Sequence, residues 1–545
     1  MEYRMTTTCL ALKGVSHVLP DGRTLFVDLN ESFDLRATGL VGRNGVGKTL
    51  MARILTGQLQ PSAGHCLCSG SVHYLAQQVA CPAGATVADL AGVRRTLAAL
   101  ARIESGSTAA EDFDAVGDHW DIRQRLGHEL ERNDLGHLEA ATPASTLSGG
   151  EAMRVALIGA LLSEADFLIL DEPSNHLDRP NRQALIEQLE RWRRGLIVIS
   201  HDRQLLDTME RIVELSGQGL RSYGGNYSFY AERKAEERQN ALDQLNQRKL
   251  ERLREQRAMR QQRERQERRQ ARGNREGKAA NQAKVLLDRQ KERSENSAGA
   301  LNQKQADTRA QLNQRVREAA QQVADEAQIA VHDIGVRQAA GRRVVELLDV
   351  QLPFVSGATS LVSMTLSGQQ RVGVIGPNGC GKSTLLRVLA GQLAPMAGGC
   401  KVTSEVAYLD QRLGNLVPER TVLGHLQRVN PTAAEGDLRM RLAQLGLDAQ
   451  MIDTPSGSLS GGERLKGALA CVLYADPPPQ LLLLDEPNNH LDLPSAQALE
   501  TMLRSYQGSL LVVSHDDAFL NNLGLTDCLV AAEEGWRLEP VLPNY

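Results

Sequence analysis

Strand-length apolar runs recur along the chain, and several end at a polar residue. The run FLIL precedes Asp171, and LLLL precedes Asp485. The strand-like runs LIVIS and LLVVS lead into His201 and His515. These lengths predict buried β-strands. None approaches the roughly 18 residues that a membrane helix needs, so we expect no transmembrane segment.

The middle of the chain has a different pattern. From Phe229 to Gln270 there is no Pro or Gly, and strong helix formers dominate. Arg272–Gly277 reads as a break, after which Ala279–Arg293 can be helical again. We therefore predict two antiparallel helices with a tip near 270–285. The second helix has apolar positions on one face, spaced i, i+4, i+7 and i+11: Leu312, Val316, Ala319 and Val323.

The two flanks of this segment repeat each other. The spacing agrees as well, because Lys48 to Gln77 and Lys382 to Gln411 are both 29 residues. Four motifs recur in the same order: Gly42–Thr49 with Gly376–Ser383, Leu147–Glu151 with Leu459–Glu463, Leu170–Asp178 with Leu484–Asp492, and Ser200–Asp202 with Ser514–Asp516.

The first repeated motif, GxxxxGK[ST], predicts a phosphate-binding loop between a strand and a helix. Its backbone N–H groups and the helix N-terminus attract phosphate. Lys48 and Lys382 would reach the β- and γ-phosphates of a nucleotide, while Thr49 and Ser383 would each give Mg²⁺ a hydroxyl. The candidate nucleotide-binding residues are Gly42, Asn44, Gly45, Gly47, Lys48 and Thr49, and Gly376, Asn378, Gly379, Gly381, Lys382, Ser383 and Thr384.

Four further pairs predict the hydrolytic chemistry. A carboxylate at a strand end can hold Mg²⁺, and the glutamate after it can act as general base on water. A glutamine could position that water and the metal, and a histidine could contact the γ-phosphate. In that order the pairs are Asp171 and Asp485, Glu172 and Glu486, Gln77 and Gln411, and His201 and His515.

Composition narrows the class of protein. A length of 545 residues predicts about three domains. The net charge of −4 conceals a segment from 231 to 330 with 24 Lys/Arg against 16 Asp/Glu, so only this segment is basic. The eight cysteines include no CxxC pair, and the N-terminus lacks the apolar core of a signal peptide. We therefore expect a cytoplasmic protein with reduced thiols.

Together the motifs resemble the ABC-F family of tandem ATP-binding cassette ATPases, which act on ribosomes. The form Glu-Pro-x-Asn-His-Leu-Asp and the Tyr223–Tyr227 stretch before a charged linker carry this resemblance. It implies a monomer in which the two cassettes pair head to tail around two ATP molecules. Each site would then be completed by the LSGGE motif of the opposite cassette, Ser460, Gly461 and Gly462 for the first site and Ser148, Gly149 and Gly150 for the second.

The two copies also differ. Where the superfamily stacks an aromatic ring on adenine, the second copy offers Phe354 and the first only His17 or Leu19. We therefore predict unequal sites, with weaker nucleotide binding at the first. Cys380 lies inside the second phosphate loop, so its modification should inhibit the enzyme.

The domain prediction is a cassette at 5–230, a basic helical linker at 231–335 and a cassette at 336–545. The first cassette has about 22 extra residues between Gln77 and Leu147 compared with the second copy. The resemblance implies a small arm near 93–120 that can touch the ribosome. Length alone predicts a longer surface loop equally well.

The predicted linker tip carries a cluster of cations with few acids among them. Such a cluster suits a phosphate backbone, and the lack of aromatics favours structured RNA over stacked single strands. A solvated helix face is the plainer alternative. The candidate RNA contacts are Arg268, Arg269, Arg272, Arg275, Lys278 and Lys284.

The predicted function is that of an ATPase that binds the ribosome in its ATP state. The resemblance implies that the linker reaches from the tRNA exit site toward the peptidyl-transferase centre. Three alternatives stay open: an export ATPase with a separate membrane partner, an antibiotic-resistance ATPase that protects ribosomes, and a DNA-organising ATPase with a coiled-coil arm.

Overall fold

The computed structural model describes residues 9–175, 177–279, 303–320, 343–410, 416–489 and 491–541. The chain divides into two compact units. One comprises residues 1–230 with 328–545, which contain both cassettes, and the other comprises residues 231–327.

Each cassette has a large, mostly parallel sheet whose central strands are buried and mainly apolar. The last described strand of each is antiparallel to its neighbour. In the first cassette the strands lie side by side in the order Val72–Leu75, Phe167–Asp171, Gly195–Ile199, Ala37–Gly42, Arg211–Ser216 and Gly219–Tyr223. In the second the order is Val406–Leu409, Leu481–Asp485, Ser509–Val513, Arg371–Ile375, Asp527–Ala532 and Gly535–Pro540.

A smaller antiparallel sheet accompanies each large one. In spatial order its described strands are Thr24–Phe33, Leu10–Val18 and Ala63–Cys68 in the first cassette, and Leu361–Ser367, Arg343–Gln351 and Ala397–Val402 in the second. In both cassettes one apolar core joins this sheet, the large sheet and the helix that follows the phosphate loop.

Helices cover the sheets and form a helical subdomain before each LSGGE motif. Those of the first cassette are Lys48–Leu55, Val87–Leu90, Arg94–Glu104, Ala110–Val116, Ile122–Arg132, Gly149–Leu162, Arg179–Glu190 and Arg203–Asp207, with a 3₁₀ turn at Ala144–Thr146. Those of the second are Lys382–Leu389, Val422–Val429, Glu435–Gln444, Ala449–Asp453, Gly461–Leu473, Leu493–Ser505 and Asp517–Asn522, with 3₁₀ turns at Ala358–Ser360 and Ser456–Ser458.

The extra residues near 93–120 are helical rather than an irregular loop. The helices Arg94–Glu104 and Ala110–Val116 share a small core of Ala99, Leu100 and Val116. Arg102 pairs with the buried Asp112 at 2.6 Å, which ties the two helices together.

A 53-residue helix, Tyr227–Ala279, begins at the end of the first cassette. Its first turn is fixed there, because Tyr230 donates from its hydroxyl to Glu214 at 3.2 Å and the Asn226 side chain caps Phe229 N–H. The break predicted at Arg272–Gly277 is wrong, since the helix continues to Ala279. Two glycines cost a helix only about 1 kcal/mol each, which the helix formers around them offset.

Residues 303–320 form a second helix in the linker unit. Val316 and Ala319 pack against Leu245 of the long helix, and Arg315 lies 3.6 Å from Glu251. Glu251 follows Leu245 along the long helix, whereas its partner Arg315 precedes Val316 and Ala319 along the second helix. The two helices therefore run antiparallel, as predicted. The predicted helix at Ala279–Arg293 and the apolar position Val323 fall outside the described residues, apart from Ala279.

Candidate functional site

Each phosphate loop leaves the end of a central strand and turns into a helix. The turn needs backbone that only glycine adopts easily, because φ is +80° at Gly45 and +103° at Gly47. A side chain at Gly47 would also meet Leu25 at 2.4 Å. Gly379 and Gly381 repeat this geometry in the second cassette, with φ of +81° and +100°.

The lysine of each loop folds back across it. Lys48 Nζ donates to the carbonyl oxygens of Gly42 and Arg43 at 2.6 and 3.2 Å. Lys382 Nζ donates in the same way to Gly376 and Pro377, both at 2.8 Å. Both lysines are buried, so their charge is concentrated where the loop N–H groups converge.

A hydroxyl and a carboxylate meet beside each loop. Ser383 Oγ donates to one oxygen of Asp485 at 3.1 Å, and Tyr408 donates to the other at 3.3 Å. In the first cassette Thr49 bonds Asp171, to which Tyr74 donates at 3.2 Å. Burial raises the pKa of both aspartates.

These oxygen donors fit Mg²⁺, which binds proteins through one or two carboxylates and completes its shell with water and substrate phosphates. Gln77 is half-buried and follows the strand Val72–Leu75, which lies beside the strand that ends at Asp171. Gln411, predicted for the same role in the second cassette, lies outside the described residues.

The two candidate general bases have strained backbone and little solvent. Glu172 and Glu486 have φ of +51° and +50°, in the left-handed region that non-glycine residues rarely adopt. Burial raises the pKa of Glu172 to about 8 and that of Glu486 to about 7. Strain and desolvation of this kind concentrate at functional sites.

The candidate histidines approach these glutamates. His201 Nε2 lies 3.5 Å from Glu172, and His515 Nε2 lies 3.3 Å from Glu486. Burial lowers the pKa of His201 to about 3 and that of His515 to about 4, so both imidazoles are neutral near pH 7. His515 also contacts the Asn378 side chain of its own phosphate loop at 3.2 Å.

The structure joins the cassettes through two residues whose role the sequence reasoning missed. The Asp492 carboxylate accepts from Asn44 N–H of the first phosphate loop at 2.8 Å. Asp178 accepts from Asn378 N–H of the second loop at 3.1 Å. Each aspartate also caps the helix that follows it. The Asp before a helix with Pro in its first turn is a sequence signal for the cap, but not for the contact across the interface.

The LSGGE motifs stand next to these crossing points. Ser148 and Ser460 each cap a helix and form a capping box with the following glutamate. A Cβ on Gly462 would meet Ser495, which the Asp492 cap holds, at 2.8 Å. In the other half, Arg154 of the LSGGE helix bonds Asn181, which bonds Asp178.

The candidate adenine contacts differ in exposure. Phe354 is 91% exposed, and its neighbour Val355 lies against Gly381 of the phosphate loop. His17 is buried and tilted toward Phe26 in the core, while Leu19 is half-buried. Only the second cassette therefore presents, among these three residues, a free aromatic face.

Three of the six candidate linker cations have side chains that the structure describes. Arg268, Arg269 and Arg272 have exposed side chains on the long helix. Arg275 and Lys278 belong to the helix by backbone, with side chains outside the description, and Lys284 lies outside the described residues.

Comparison with known proteins identifies the cassettes. A family model described as ABC transporter matches residues 32–175 and 360–489. The chain is 30% identical to the ATP-binding protein YdiF of Bacillus subtilis, over 89% of this chain and 74% of that protein. It is 29% identical to ABC transporter F family member 5 of Arabidopsis thaliana, over 91% of this chain and 71% of that one.

A third relative is the tylosin resistance ATP-binding protein TlrC of Streptomyces fradiae, with 32% identity over 88% of this chain and 89% of that protein. Among solved structures, RNase-L Inhibitor has a TM-score of 0.57 at 19% identity, covering 97% of this chain and 90% of that one. An archaeal ribosome recycling factor, aABCE1, in complex with the ribosomal stalk protein aP1, has a TM-score of 0.55 at 18% identity, over 96% and 89%. At these identities the structures show the shared fold alone. Within the described residues, no helix combines the length and apolarity needed to cross a membrane.

The second phosphate loop generates a prediction about thiol chemistry. Alkylation of Cys380 should abolish most ATPase activity, because an added group would crowd the loop beside Gly376. Burial raises the pKa of the Cys380 thiol, so little reactive thiolate exists near pH 7. Inactivation by N-ethylmaleimide should therefore be slow at pH 7 and accelerate about tenfold per pH unit below the thiol pKa.

The measurement is residual ATPase activity against time at several pH values, normalised to untreated protein. Cys380→Ser should resist the reagent, whereas Cys81→Ser, at an exposed thiol outside the loop, should be inactivated like the wild type. Equal inactivation of Cys380→Ser and wild type would contradict the prediction.

Proposed function

Since the chain belongs to the ABC transporter family, in its F group, we propose that it is an ATPase that binds the ribosome in its ATP state and acts on translation through its linker. The ATPase activity follows from family membership. The ribosome as partner, the Mg²⁺ cofactor, the individual residue roles and a cytoplasmic location are our proposals.

Two ATP sites would lie between the cassettes. The first site comprises the Lys48 loop, Asp171, Glu172 and His201 with the Ser460–Gly462 motif. The second site comprises the Lys382 loop, Asp485, Glu486 and His515 with the Ser148–Gly150 motif. Mg²⁺ would be held by Thr49, Asp171 and Gln77 in the first site, and by Ser383, Asp485 and Gln411 in the second.

ATP bound at these sites would stabilise the paired cassettes, because its phosphates would be contacted from both sides. Glu172 and Glu486 would take a proton from the attacking water, while the neutral His201 and His515 would donate a hydrogen bond to the γ-phosphate. The phosphate-loop lysines would offset the negative charge that develops on the transferred group. Hydrolysis would then remove the contacts that favour pairing.

The observation that carries the ribosome proposal is the basic helix between the cassettes. Arg268, Arg269 and Arg272 expose their guanidinium groups on a 53-residue helix that rises about 80 Å. A rod of this length with cations near its far end suits the phosphate backbone of structured RNA. One of the structurally similar proteins is a ribosome recycling factor, which supports the same partner.

We expect the double variant Glu172→Gln/Glu486→Gln to stay on ribosomes when ATP is present. Removing a general base slows hydrolysis by about a hundredfold or more, which preserves the ATP state. The measurement is co-sedimentation with ribosomes, with and without ATP. Glu187→Gln/Glu533→Gln, at two exposed glutamates, is the matched control and should not accumulate on ribosomes.

A double variant that stays in the supernatant with ATP at every salt concentration would contradict the ribosome proposal. Co-purification with an integral membrane protein would then favour the export ATPase. Preference for duplex DNA would favour the DNA-organising ATPase.

The linker cations give a second prediction, tested in the trapped double variant. Changing Arg268, Arg269 and Arg272 to Gln should weaken ribosome binding and lower the slope of log K against log salt by about 2 to 3. The measurement is binding affinity across a salt series. Gln at Arg23, Arg36 and Arg193, three exposed arginines of the first cassette, makes the same charge change and should leave the slope unchanged.

A resistance role is a second candidate function, favoured by the match to the tylosin resistance protein over 89% of its length. Expression in a susceptible host should then raise the inhibitory concentration of tylosin severalfold, and the Glu172→Gln/Glu486→Gln variant should not. An unchanged inhibitory concentration, with ribosome binding intact, would leave general translation control as the function.

A further inference from the structure

The two cassettes present different chemistry at matching positions of their interface. Four residues after Asp178 stands Arg182, whereas four residues after Asp492 stands Ala496. The flanking motifs are nearly the same in the two copies, so this exchange places a long cation at one interface position and a methyl group at its counterpart.

Arg182 reaches across the interface to the second site. Its Nη1 donates to the main-chain carbonyl of His515 at 2.8 Å. Its Nε lies 3.2 Å from the carboxylate of Asp202, and only 12% of the side chain is exposed. The guanidinium therefore forms an ion pair within its own cassette and donates a hydrogen bond to the opposite cassette.

His515, whose carbonyl accepts this hydrogen bond, is the candidate γ-phosphate contact of the second site. The His515 imidazole lies 3.3 Å from Glu486 and 3.2 Å from Asn378 of the phosphate loop. A bond that fixes the main chain of His515 thereby limits where its imidazole can stand relative to both groups. Arg182 also lines a cavity of about 60 Å³ with Glu172 and His201, which puts it between the two sites.

The residue at the matching position of the first site does not supply this support. Ala496 has no donor that could reach the His201 carbonyl. Within the part of the chain that the structure describes, neither ring nitrogen of His201 makes a hydrogen bond. The Arg203–Glu500 pair also crosses the interface, at 2.8 Å, but it joins side chains and does not bond the main chain of either histidine.

We propose that Arg182 of the first cassette is a positioning residue for hydrolysis at the second site, with no counterpart at the first. The inference rests on the proposed roles of Glu486 and His515. By this proposal the first cassette affects the rate of ATP hydrolysis at the second site through Arg182, in addition to its LSGGE motif and Asp178. It also assigns the faster turnover to the second site.

The test is single-turnover hydrolysis of radiolabelled ATP preloaded on the full-length protein and started with Mg²⁺. In Arg182→Ala, about half of the bound ATP should be hydrolysed roughly tenfold more slowly, since small misplacements of a positioned group cost rates of this order. The other half should keep its rate, and ATP affinity should stay within about twofold. Arg193→Ala, an exposed arginine of the same cassette, is the matched control.

Combining Arg182→Ala with a second substitution shows which ATP site is slowed. The Arg182→Ala effect should persist with Glu172→Gln, where the second site remains intact, and vanish with Glu486→Gln. Equal slowing of both halves, no slowing, or an effect that survives Glu486→Gln would overturn the proposal. If Glu486→Gln alone leaves all of the bound ATP hydrolysed at the wild-type rate, the proposed role of Glu486 is wrong instead. Neither of these results depends on whether the protein binds ribosomes.

Conservative variants separate positioning from a loss of folding. Arg182→Lys keeps a cationic donor and should recover part of the rate, and Arg182→Gln keeps a donor without the charge. Hydrogen exchange supplies a readout independent of catalysis: amides in residues 514–519 should exchange faster in Arg182→Ala than in Arg193→Ala. Unchanged exchange there, in a variant that folds and binds ATP, would also overturn the proposal.

Discussion

The paired cassettes meet at their phosphate loops, where two hydrogen bonds cross between them. Asp492 accepts from Asn44 N–H, and Asp178 accepts from Asn378 N–H, so each phosphate loop is touched by the opposite half. A charged acceptor strengthens such a bond. Each phosphate loop therefore contacts an aspartate that caps a helix of the opposite cassette.

The interface is built from repeated motifs but is not symmetric in charge. Arg179 and Arg203 of the first cassette meet Asp517 and Glu500 of the second. The counterpart of Arg203 in the second copy is Asp517 itself, two residues after the histidine. Two first cassettes paired with each other would set Arg179 against Arg203. Placing like charges opposite each other disfavours that pairing relative to the pairing of the two different cassettes.

The repeat made much of the fold predictable. Apolar runs that end in Asp171 and Asp485 do form buried strands, and the tandem α/β cassettes with a helical linker are confirmed. Two features were not predicted correctly: one is the local continuity of the linker helix, and the other is the set of long-range contacts between the cassettes. The predicted break at Arg272–Gly277 does not form, because the helix formers around the two glycines offset their cost. The crossing bonds of Asp178 and Asp492 join residues at least 200 positions apart, and no local pattern encodes such a contact.

Arg182 illustrates a further reason why sequence reasoning stops short. A repeat directs attention to what its copies share, and the shared residues bear the common chemistry. A difference between copies, such as Arg182 against Ala496, cannot be told from drift until its partner is known. The structure supplies that partner as a main-chain carbonyl, which leaves no trace in the identity of residue 515. Asymmetry between two near-identical sites can thus reside in a residue that belongs to neither phosphate loop, because it acts on the backbone that carries a shared one.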